Sequence, residues 1–248
     1  MKISIVTASF NSAATIQDTL DSVARQTYTD VEHIIVDGAS KDQTLALVRA
    51  YPHVEKVVSE PDRGIYDAMN KGIGMATGTV VGILNSDDFY THPGVLAAVA
   101  KAFQSEAVDA VYGDLQYVDA VETQKVVRFW KAGPFRRMAF LNGWMPPHPT
   151  FFVRRTLYEK YGLFNTQLRF SADYELMLRF LYLQRAPVCY LPEVLVRMRM
   201  GGLSNASLQN RLKANREDRL AWQLNGVKPR FYTFWAKPAQ KMVQYLVR

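Results

Sequence analysis

The sequence has a single cysteine, Cys189, and no long apolar run at its N-terminus. One cysteine excludes an internal disulfide, and the apolar residues 187–191 around it predict a buried strand. The apolar run that follows Met1 is far shorter than the roughly 18 residues that a membrane-spanning helix needs, and it lacks a basic region with a cleavage site. We therefore expect a protein of the reducing cytoplasm.

Glycine-rich phosphate-binding motifs are also missing. Residues 7–12 follow the first predicted strand and contain no glycine, although a dinucleotide-dependent oxidoreductase requires Gly-x-Gly-x-x-Gly there. The Gly-Lys-Ser/Thr signature of P-loop phosphotransferases is absent as well. These absences argue against both classes of nucleotide-dependent enzyme.

The net positive charge is confined to the C-terminus. The 248-residue chain has a formal net charge of +7, and residues 211–248 carry nine Lys/Arg against two acidic residues, which accounts for all of it. The neutral remainder does not favour nucleic-acid binding. Within the basic C-terminal extension, residues 206–248, the last stretch, 229–248, interleaves aromatic with basic side chains and is suited to an anionic membrane surface. A terminal helix packed on the domain is the alternative.

The first half alternates β-branched runs with helical stretches, which predicts an α/β fold with a Rossmann-like, mostly parallel sheet and flanking helices. Predicted strands are 3–7, 33–36, 56–58 and 80–84. Predicted helices are 13–26, 42–50, with Ser40 as its cap, and 65–76, which follows Gly64.

The second half is less regular. We predict strands at 110–112, 126–130 and 194–200, and helices at 174–182 and 207–222. The expected organisation is one domain over 1–205, with a nucleotide-binding half (1–115) and an acceptor-side half (116–205), followed by the basic helical extension.

Acidic residues follow three of the four predicted parallel strands. Asp37 follows the second, Asp62 the third, and Asp87 and Asp88 the fourth. Ligands of such sheets collect beyond the carboxyl ends of the strands. Carboxylates gathered there repel one another unless a cation or hydrogen-bond donors are present. Asp87 and Asp88 suit Mn²⁺ or Mg²⁺, the expected cofactor, held by few protein ligands and by phosphate oxygens. An acidic turn that ends the strand without a metal is the alternative.

Five ordered motifs resemble the inverting family 2 glycosyltransferases of the GT-A fold, over about the first 200 residues. Enzymes of bacterial surface-polysaccharide biosynthesis are the nearest likeness. The motifs are Ile5-Val6-Thr7-Ala8-Ser9-Phe10-Asn11, Val36-Asp37-Gly38-Ala39-Ser40-Lys41-Asp42, Asp62-Arg63-Gly64-Ile65-Tyr66-Asp67-Ala68-Met69-Asn70-Lys71-Gly72, Leu84-Asn85-Ser86-Asp87-Asp88 and Ala172-Asp173-Tyr174-Glu175-Leu176.

The resemblance implies roles on the donor side. Thr7, Ser9 and Phe10 would line the nucleotide pocket, and Asp37 would accept a hydrogen bond from the base, most often uracil. Arg63 would meet the diphosphate or the base, and Arg199 would belong to a loop that closes over the diphosphate. Structural roles are the alternative for Asp37, as a turn residue, and are favoured for Asp62, Asp67 and Asn70, which would brace the loop.

The acidic motif departs from the family pattern at its first position, where Asn85 replaces an aspartate. Asn85 can bind a ribose hydroxyl but is a weaker metal ligand, so the cation is expected on Asp87, Asp88 or both. We expect this site to need the donor's own phosphates.

On the acceptor side, the resemblance implies that Asp173 is the catalytic base, although Ala172 replaces the usual preceding glutamate. A helix-capping aspartate is the alternative. His148 would contact the acceptor or the metal, or be a loop histidine. Trp144 would stack on a sugar or pack in the core.

The resulting expectation is a metal-dependent, inverting transfer from a nucleoside-diphosphate sugar, a UDP sugar, to a glycan acceptor. The resemblance implies a polyprenyl-diphosphate-linked acceptor, which would place the protein peripherally on the inner face of the cytoplasmic membrane. A non-catalytic sugar-nucleotide or glycan-binding module of a membrane-attached assembly stays open, because of Asn85 and Ala172.

Overall fold

The computed structural model describes residues 1–201 and 208–234, which form one nine-stranded sheet with packed helices. The strands are β1 (Ile3–Ser9), β2 (Val31–Asp37), β3 (Val54–Ser59), β4 (Val80–Ile83), β5 (Phe89–Tyr90), β6 (Ala110–Val118), β7 (Val126–Trp130), β8 (Phe152–Arg154) and β9 (Val188–Arg199). The α-helices are α1 (Ile16–Ala24), α2 (Thr44–Arg49), α3 (Ile65–Met75), α4 (Val95–Ala102), α5 (Arg155–Tyr161), α6 (Ala172–Met177) and α7 (Leu208–Leu224). Two 3-10 helices, Arg137–Asn142 and His148–Thr150, and a π-helix, Leu178–Leu183, complete the elements.

The first half of the chain forms the parallel part of the sheet that the sequence predicts. β3, β2, β1 and β4 lie side by side in that order, and all three pairings are parallel. β1 is buried along its whole length, as expected for a strand covered on both faces, whereas edge strand β3 alternates between partly buried and exposed residues. The carboxyl ends of the four strands therefore meet at one edge.

Two helices of this half begin later than predicted. α1 begins at Ile16 because the preceding residues form a turn whose hydroxyls bind the loop after β4: Ser12 contacts Ser86 Oγ and Thr15 donates to the Ser86 carbonyl. α2 begins at Thr44, whose N–H is bound by Asp42. The prediction that Ser40 caps α2 is wrong, because its hydroxyl donates to Asp37.

The second half makes the sheet mixed. β8 pairs antiparallel with β4 and β6, and β6 pairs parallel with β9. The predicted strands around Cys189 and after Val194 are one strand, β9, and Cys189 is only partly buried there. The register of β9 against β6 jumps from Leu191 to Val194. The bulge contains Pro192, which has no N–H to give to a ladder.

The helix of the C-terminal extension packs on the domain. Trp222 of α7 is fully buried and donates through Nε1 to the Tyr174 hydroxyl of α6 at 2.9 Å. Beyond α7, Thr233 donates to the Leu141 carbonyl at 2.6 Å. The boundary expected at residue 205 and residues 235–248 lie outside the described residues. In the described parts of the chain, no helix is both long enough and apolar enough to cross a membrane.

Candidate active site

The loop after β4 carries the acidic motif and is fastened to α1. Thr19 donates to the carbonyl oxygens of Asn85, at 3.3 Å, and of Asp88, at 2.7 Å. The Thr15 hydroxyl also donates to the Ser86 carbonyl, so that three backbone carbonyl oxygens of the loop point toward the start of α1. The side chains at this edge are thereby fixed next to the end of β1.

Two buried oxygens of this loop have no hydrogen-bond partner among the described residues. Asn85 Nδ2 donates to Asp88 Oδ2 at 3.0 Å, which leaves Asn85 Oδ1 and Asp88 Oδ1 unpartnered. Burial raises the pKa of the Asp87 carboxyl. Burial, and then the neighbouring charge of Asp87, raise the pKa of Asp88 well above its usual range. Unpartnered buried polar atoms are rare, and a cation would relieve both costs.

These groups suit a divalent cation that takes its remaining ligands from a bound molecule. Asp87, Asp88 and Asn85 offer hard oxygen donors of the kind that Mg²⁺ and Mn²⁺ take. The described part of the chain contains no cluster of three or more His, Cys, Asp or Glu side chains that could hold a metal. The donor set fits a metal whose coordination is completed by phosphate oxygens.

On the nucleotide side, Asp37 is fully buried and hydrogen-bonded on both oxygens. Oδ1 accepts from the hydroxyls of Ser9 and Ser40, and Oδ2 from the Ser40 N–H and the Ser59 hydroxyl, both at 2.8 Å. Thr7 is fully buried as well, with its hydroxyl 3.0 Å from His33 Nε2. Both side chains therefore hydrogen-bond to neighbouring protein groups, and their contact with a nucleotide stays a prediction.

The surface of this pocket is formed by other residues. Phe10 is 64% exposed at the end of β1. A Cβ on Gly38 would lie 3.3 Å from the Phe10 ring and 2.6 Å from Asp62 Oδ2, so these three residues meet. The next residue, Ala39, has φ of +61°, a strained value for a non-glycine residue. Asp62 is the carboxylate that reaches this surface.

The loop before α3 is braced as expected. Asp67 accepts from the Arg63 N–H at 3.1 Å and from its guanidinium at 2.8 Å, and Asp62 accepts from the Gly64 N–H at 2.8 Å. Asn70 exchanges two hydrogen bonds with the backbone of Phe164. The Arg63 side chain remains 82% exposed and accessible to an anion.

Arg199 lies beside the acidic loop but is engaged by other groups. Its guanidinium pairs with Asp18 of α1 and donates to the Ala120 carbonyl at 2.9 Å. Its positive charge counteracts the rise in the pKa of both Asp87 and Asp88. The Arg199 guanidinium would have to release Asp18 before it could bind a diphosphate.

The candidate base, Asp173, lies in the first turn of α6, and Ser171 holds the N-cap position, so Asp173 is not the cap. Its Oδ1 accepts from the Tyr66 hydroxyl at 3.0 Å. Burial and the Asp173 charge raise the Tyr66 pKa well above its usual value, so the phenol stays protonated and donates. Within the described residues, Asp173 Oδ2 makes no hydrogen bond, which leaves it for an acceptor hydroxyl.

His148 lies close to this carboxylate. Burial lowers the His148 pKa and the charge of Asp173 opposes the shift, so the ring is neutral near pH 7. Phe164 connects the two sides of the cluster, because it stacks on Tyr66 at 5.4 Å and meets His148 edge-on at 5.6 Å between ring centroids. The structure therefore brings His148, Tyr66 and Asp173 together.

Trp144 packs in the core. Its ring meets Tyr112, Phe135 and Phe140, and its Nε1 donates to the Ala132 carbonyl at 3.0 Å. Of the two interpretations open for this residue, the contacts favour packing over sugar stacking.

Sequence reasoning assigned no role to Tyr66, Phe164 or Asp18. Tyr66 lies 107 residues from Asp173, and Asp18 lies 181 residues from Arg199, so neither pair leaves a local pattern. The one usable signal for Tyr66 was its place inside the third motif.

Comparisons with known proteins agree with this architecture. Residues 4–162 match the family described as Glycosyl transferase family 2. A PGL/p-HBAD biosynthesis glycosyltransferase of Mycobacterium tuberculosis is 34% identical over 208 residues, which cover 82% of this chain and 78% of that protein.

Two solved structures share the fold at low identity. Staphylococcus aureus TarS (residues 1–349), in complex with UDP-GlcNAc, has a TM-score of 0.67 and 19% identity over 91% of this chain and 65% of that one. The mannosyltransferase PcManGT of Pyrobaculum calidifontis, in complex with GDP-Man and Mn²⁺, has a TM-score of 0.69 and 19% identity over 98% of this chain and 74% of that one. The chain therefore belongs to glycosyl transferase family 2 and is a glycosyltransferase with the GT-A fold.

Proposed function

We propose that this enzyme transfers a sugar, with inversion, from a nucleoside-diphosphate sugar to a glycan or lipid-linked glycan acceptor in polysaccharide or glycolipid synthesis. One observation carries the proposal. Asp173 is bound by Tyr66 on one oxygen, and no described residue hydrogen-bonds the other, the arrangement that a general base requires.

The reaction assigns a task to each group on the acceptor side. Asp173 takes the proton of the acceptor hydroxyl as its oxygen attacks the anomeric carbon from the face opposite the nucleoside diphosphate. The bond from that carbon to the phosphate oxygen breaks, and the electron pair leaves with the nucleoside diphosphate. Tyr66 orients the carboxylate, and neutral His148 is placed to hydrogen-bond the acceptor.

On the donor side, Asp87 and Asp88, with the amide oxygen of Asn85, would hold Mn²⁺ or Mg²⁺. When bound, the cation supplies positive charge to the departing diphosphate. Exposed Phe10 offers its ring face to the base, and Arg63 and Arg199 are the nearby cations for phosphate. We expect a UDP sugar as donor. The TarS complex with UDP-GlcNAc supports this expectation. The PcManGT complex with GDP-Man and Mn²⁺ makes a GDP sugar the main alternative donor.

The acceptor and the location of the enzyme are part of the proposal. The similar mycobacterial protein is named for PGL/p-HBAD biosynthesis, which supports a lipid-linked or glycolipid acceptor. The nine basic residues of 211–248 and the exposed ring of Phe231 suit peripheral attachment to the inner face of an anionic cytoplasmic membrane.

A second candidate function is a non-catalytic sugar-nucleotide or glycan-binding module. It is favoured by two departures from the family pattern, Asn85 and Ala172. Sugar transfer separates the two candidates, because a binding module binds a donor without consuming it.

A donor panel tests the proposal. UDP, GDP and dTDP sugars are screened by thermal shift with Mn²⁺ and with EDTA, and each donor that binds is then tested for release of its nucleoside diphosphate. We expect a UDP sugar to raise the melting temperature only with Mn²⁺, because the acidic loop needs the donor's phosphates to hold the metal. Equal binding in EDTA would refute metal dependence, and binding without turnover would favour the non-catalytic module.

A further inference from the structure

The helix α7 of the C-terminal extension contacts the start of the helix that carries Asp173. Oε2 of Glu217, in α7, accepts hydrogen bonds from the N–H groups of Phe170, at 2.7 Å, and Ser171, at 3.1 Å. These two residues immediately precede α6 (Ala172–Met177). One carboxylate from a distant segment thus fixes the peptide units that lead into the first turn of α6.

The start of α6 receives no cap from its own N-cap side chain. Ser171 makes no side-chain cap bond, because its hydroxyl donates to the Ala214 carbonyl of α7 at 3.2 Å. Backbone N–H groups at helix starts need partners from outside the helix. Glu217 binds the N–H of the N-cap residue, Ser171, and of the residue before it, Phe170, and so holds the chain at the point where α6 begins.

Two further hydrogen bonds connect the C-terminal end of the α7 segment to residues farther along α6. Trp222 Nε1 donates to the Tyr174 hydroxyl at 2.9 Å, and Asn225 Nδ2 donates to Glu175 Oε1 at 3.0 Å. Asp173 lies between the residues held by Glu217 and those held by Trp222 and Asn225. Its backbone position is thus set by α7 on both sides, while Tyr66 sets its side chain.

Glu217 is also close to the base electrostatically. Its negative charge contributes, after burial and Asp173, to the raised pKa of Tyr66. The Glu217 carboxylate therefore lies near enough to the Tyr66 and Asp173 pair to influence it, without a direct hydrogen bond to either residue.

We propose that Glu217 is a positioning residue for the catalytic base: by binding the N–H groups of Phe170 and Ser171, it holds Asp173 in the geometry that accepts the acceptor proton. The inference rests on the proposed function of Asp173. It makes α7 a part of the catalytic domain, although the match to the family covers residues 4–162 only.

The test compares three variants with the wild type for kcat, KM of the donor and melting temperature. Glu217→Ala removes both bonds, whereas Glu217→Gln keeps an acceptor oxygen at the same reach. Asn225→Ala is the matched control, because it removes a hydrogen bond to α6 from the residue directly after α7, away from Phe170 and Ser171. All three variants are made in the full chain.

We expect Glu217→Ala to lower kcat about 10- to 100-fold with the donor KM within about twofold, since small displacements of a catalytic group have costs of this size. Glu217→Gln should recover most of kcat, and Asn225→Ala should lose melting temperature without losing kcat. If Glu217→Ala does not fold, Glu217→Asp, which shortens the side chain, takes its place with the same expectation.

Two results would overturn the inference: unchanged kcat in Glu217→Ala, or an equal loss of kcat in Asn225→Ala, which would indicate packing alone. Failure of the proposed function has a different signature, because the wild-type enzyme would then transfer no sugar from any donor.

Discussion

His33 is the buried residue whose titration most directly links pH to stability. It is fully buried in β2, with Nε2 near the Thr7 hydroxyl and Nδ1 3.2 Å from His53 Nε2. Burial, and then the charge of His53, lower the His33 pKa to about 3. The neutral ring is therefore part of the folded state beneath the nucleotide-side loop.

We predict that the contribution of His33 to stability falls as pH decreases from 7 to 5. The unfolded chain binds a proton at His33 below about pH 6.5, whereas the folded chain does not, so this contribution to the free energy of unfolding drops by about 2 kcal/mol over the interval. The raised pKa values of Asp87 and Asp88 act in the opposite direction, so the contribution is measured against a variant that lacks the ring. Urea unfolding at pH 7, 6 and 5 measures the loss. His33→Gln, which removes the titrating ring, should lack this part of the pH dependence. A slope in His33→Gln equal to that of the wild type would contradict the account of His33.

Single residues also explain why the sequence predicted only part of the site. Asp173, Asp87 and Asp88 became candidates from the sequence because each lies in a motif, and their roles remain predictions. Phe10 became a candidate because it follows the first predicted strand. The hydrogen bonds of Asp37 could not be predicted, because two of its partners come from distant segments: Ser9 lies 28 residues away and Ser59 lies 22 residues away. Such pairings depend on tertiary contacts that no local pattern specifies.

At the scale of elements, the packing of α3 on β1 depends on a glycine. A Cβ on Gly72 would lie 2.2 Å from Val6 Cγ1, whereas a Cβ on Gly74 of the same helix would meet nothing within 4 Å. Both glycines lie in the interior of α3. They differ in whether the helix face is packed against the sheet.

We predict opposite effects of alanine at these two positions. Gly72→Ala should destabilise the fold by about 1–3 kcal/mol through overpacking. Gly74→Ala should stabilise it by about 0.5–1 kcal/mol, because alanine favours the helix. Chemical denaturation of both variants measures the difference. A Gly72→Ala variant as stable as Gly74→Ala would show that α3 does not pack on β1 this closely.

The elements of the first half were predictable because each strand is a β-branched run that leads into a polar loop. The second half was harder for physical reasons. β8 has only three residues, too few to show a period, and β9 contains Pro192 in its bulge, which divides it into two apparent strands. The mixed pairing of the sheet follows from long-range contacts. Parallel pairing was found among β1 to β4 and between β6 and β9, whereas β8 pairs antiparallel with β4 and β6.

At the scale of the whole molecule, the charge distribution separates a neutral catalytic body from a basic C-terminus. All of the net charge of +7 resides in residues 211–248. The described part of this segment is docked on the domain through Trp222 and Thr233, while Phe231 is 92% exposed. Membrane attachment and packing of the extension are therefore compatible.

We predict that charge reversal in the extension weakens attachment to anionic vesicles. Lys237→Glu with Lys241→Glu, at positions beyond the described residues, should reduce binding to phosphatidylglycerol-containing vesicles at least about tenfold, since each basic residue contributes about 1 kcal/mol. Lys101→Glu with Lys160→Glu, on exposed positions of α4 and α5, is the matched control. Flotation of both double variants gives the comparison. Equal flotation of the two double variants would refute membrane attachment through the extension.

The central claim is that Asp173 is the base of a sugar transfer. The most direct measurement is the single-turnover rate of transfer by Asp173→Asn at saturating donor, with the donor Kd measured on the same preparation. The account predicts a rate about 10² to 10⁴ times slower than that of the wild type, with the donor Kd within about twofold, because only proton removal is lost. Full turnover by Asp173→Asn with intact donor binding would contradict it.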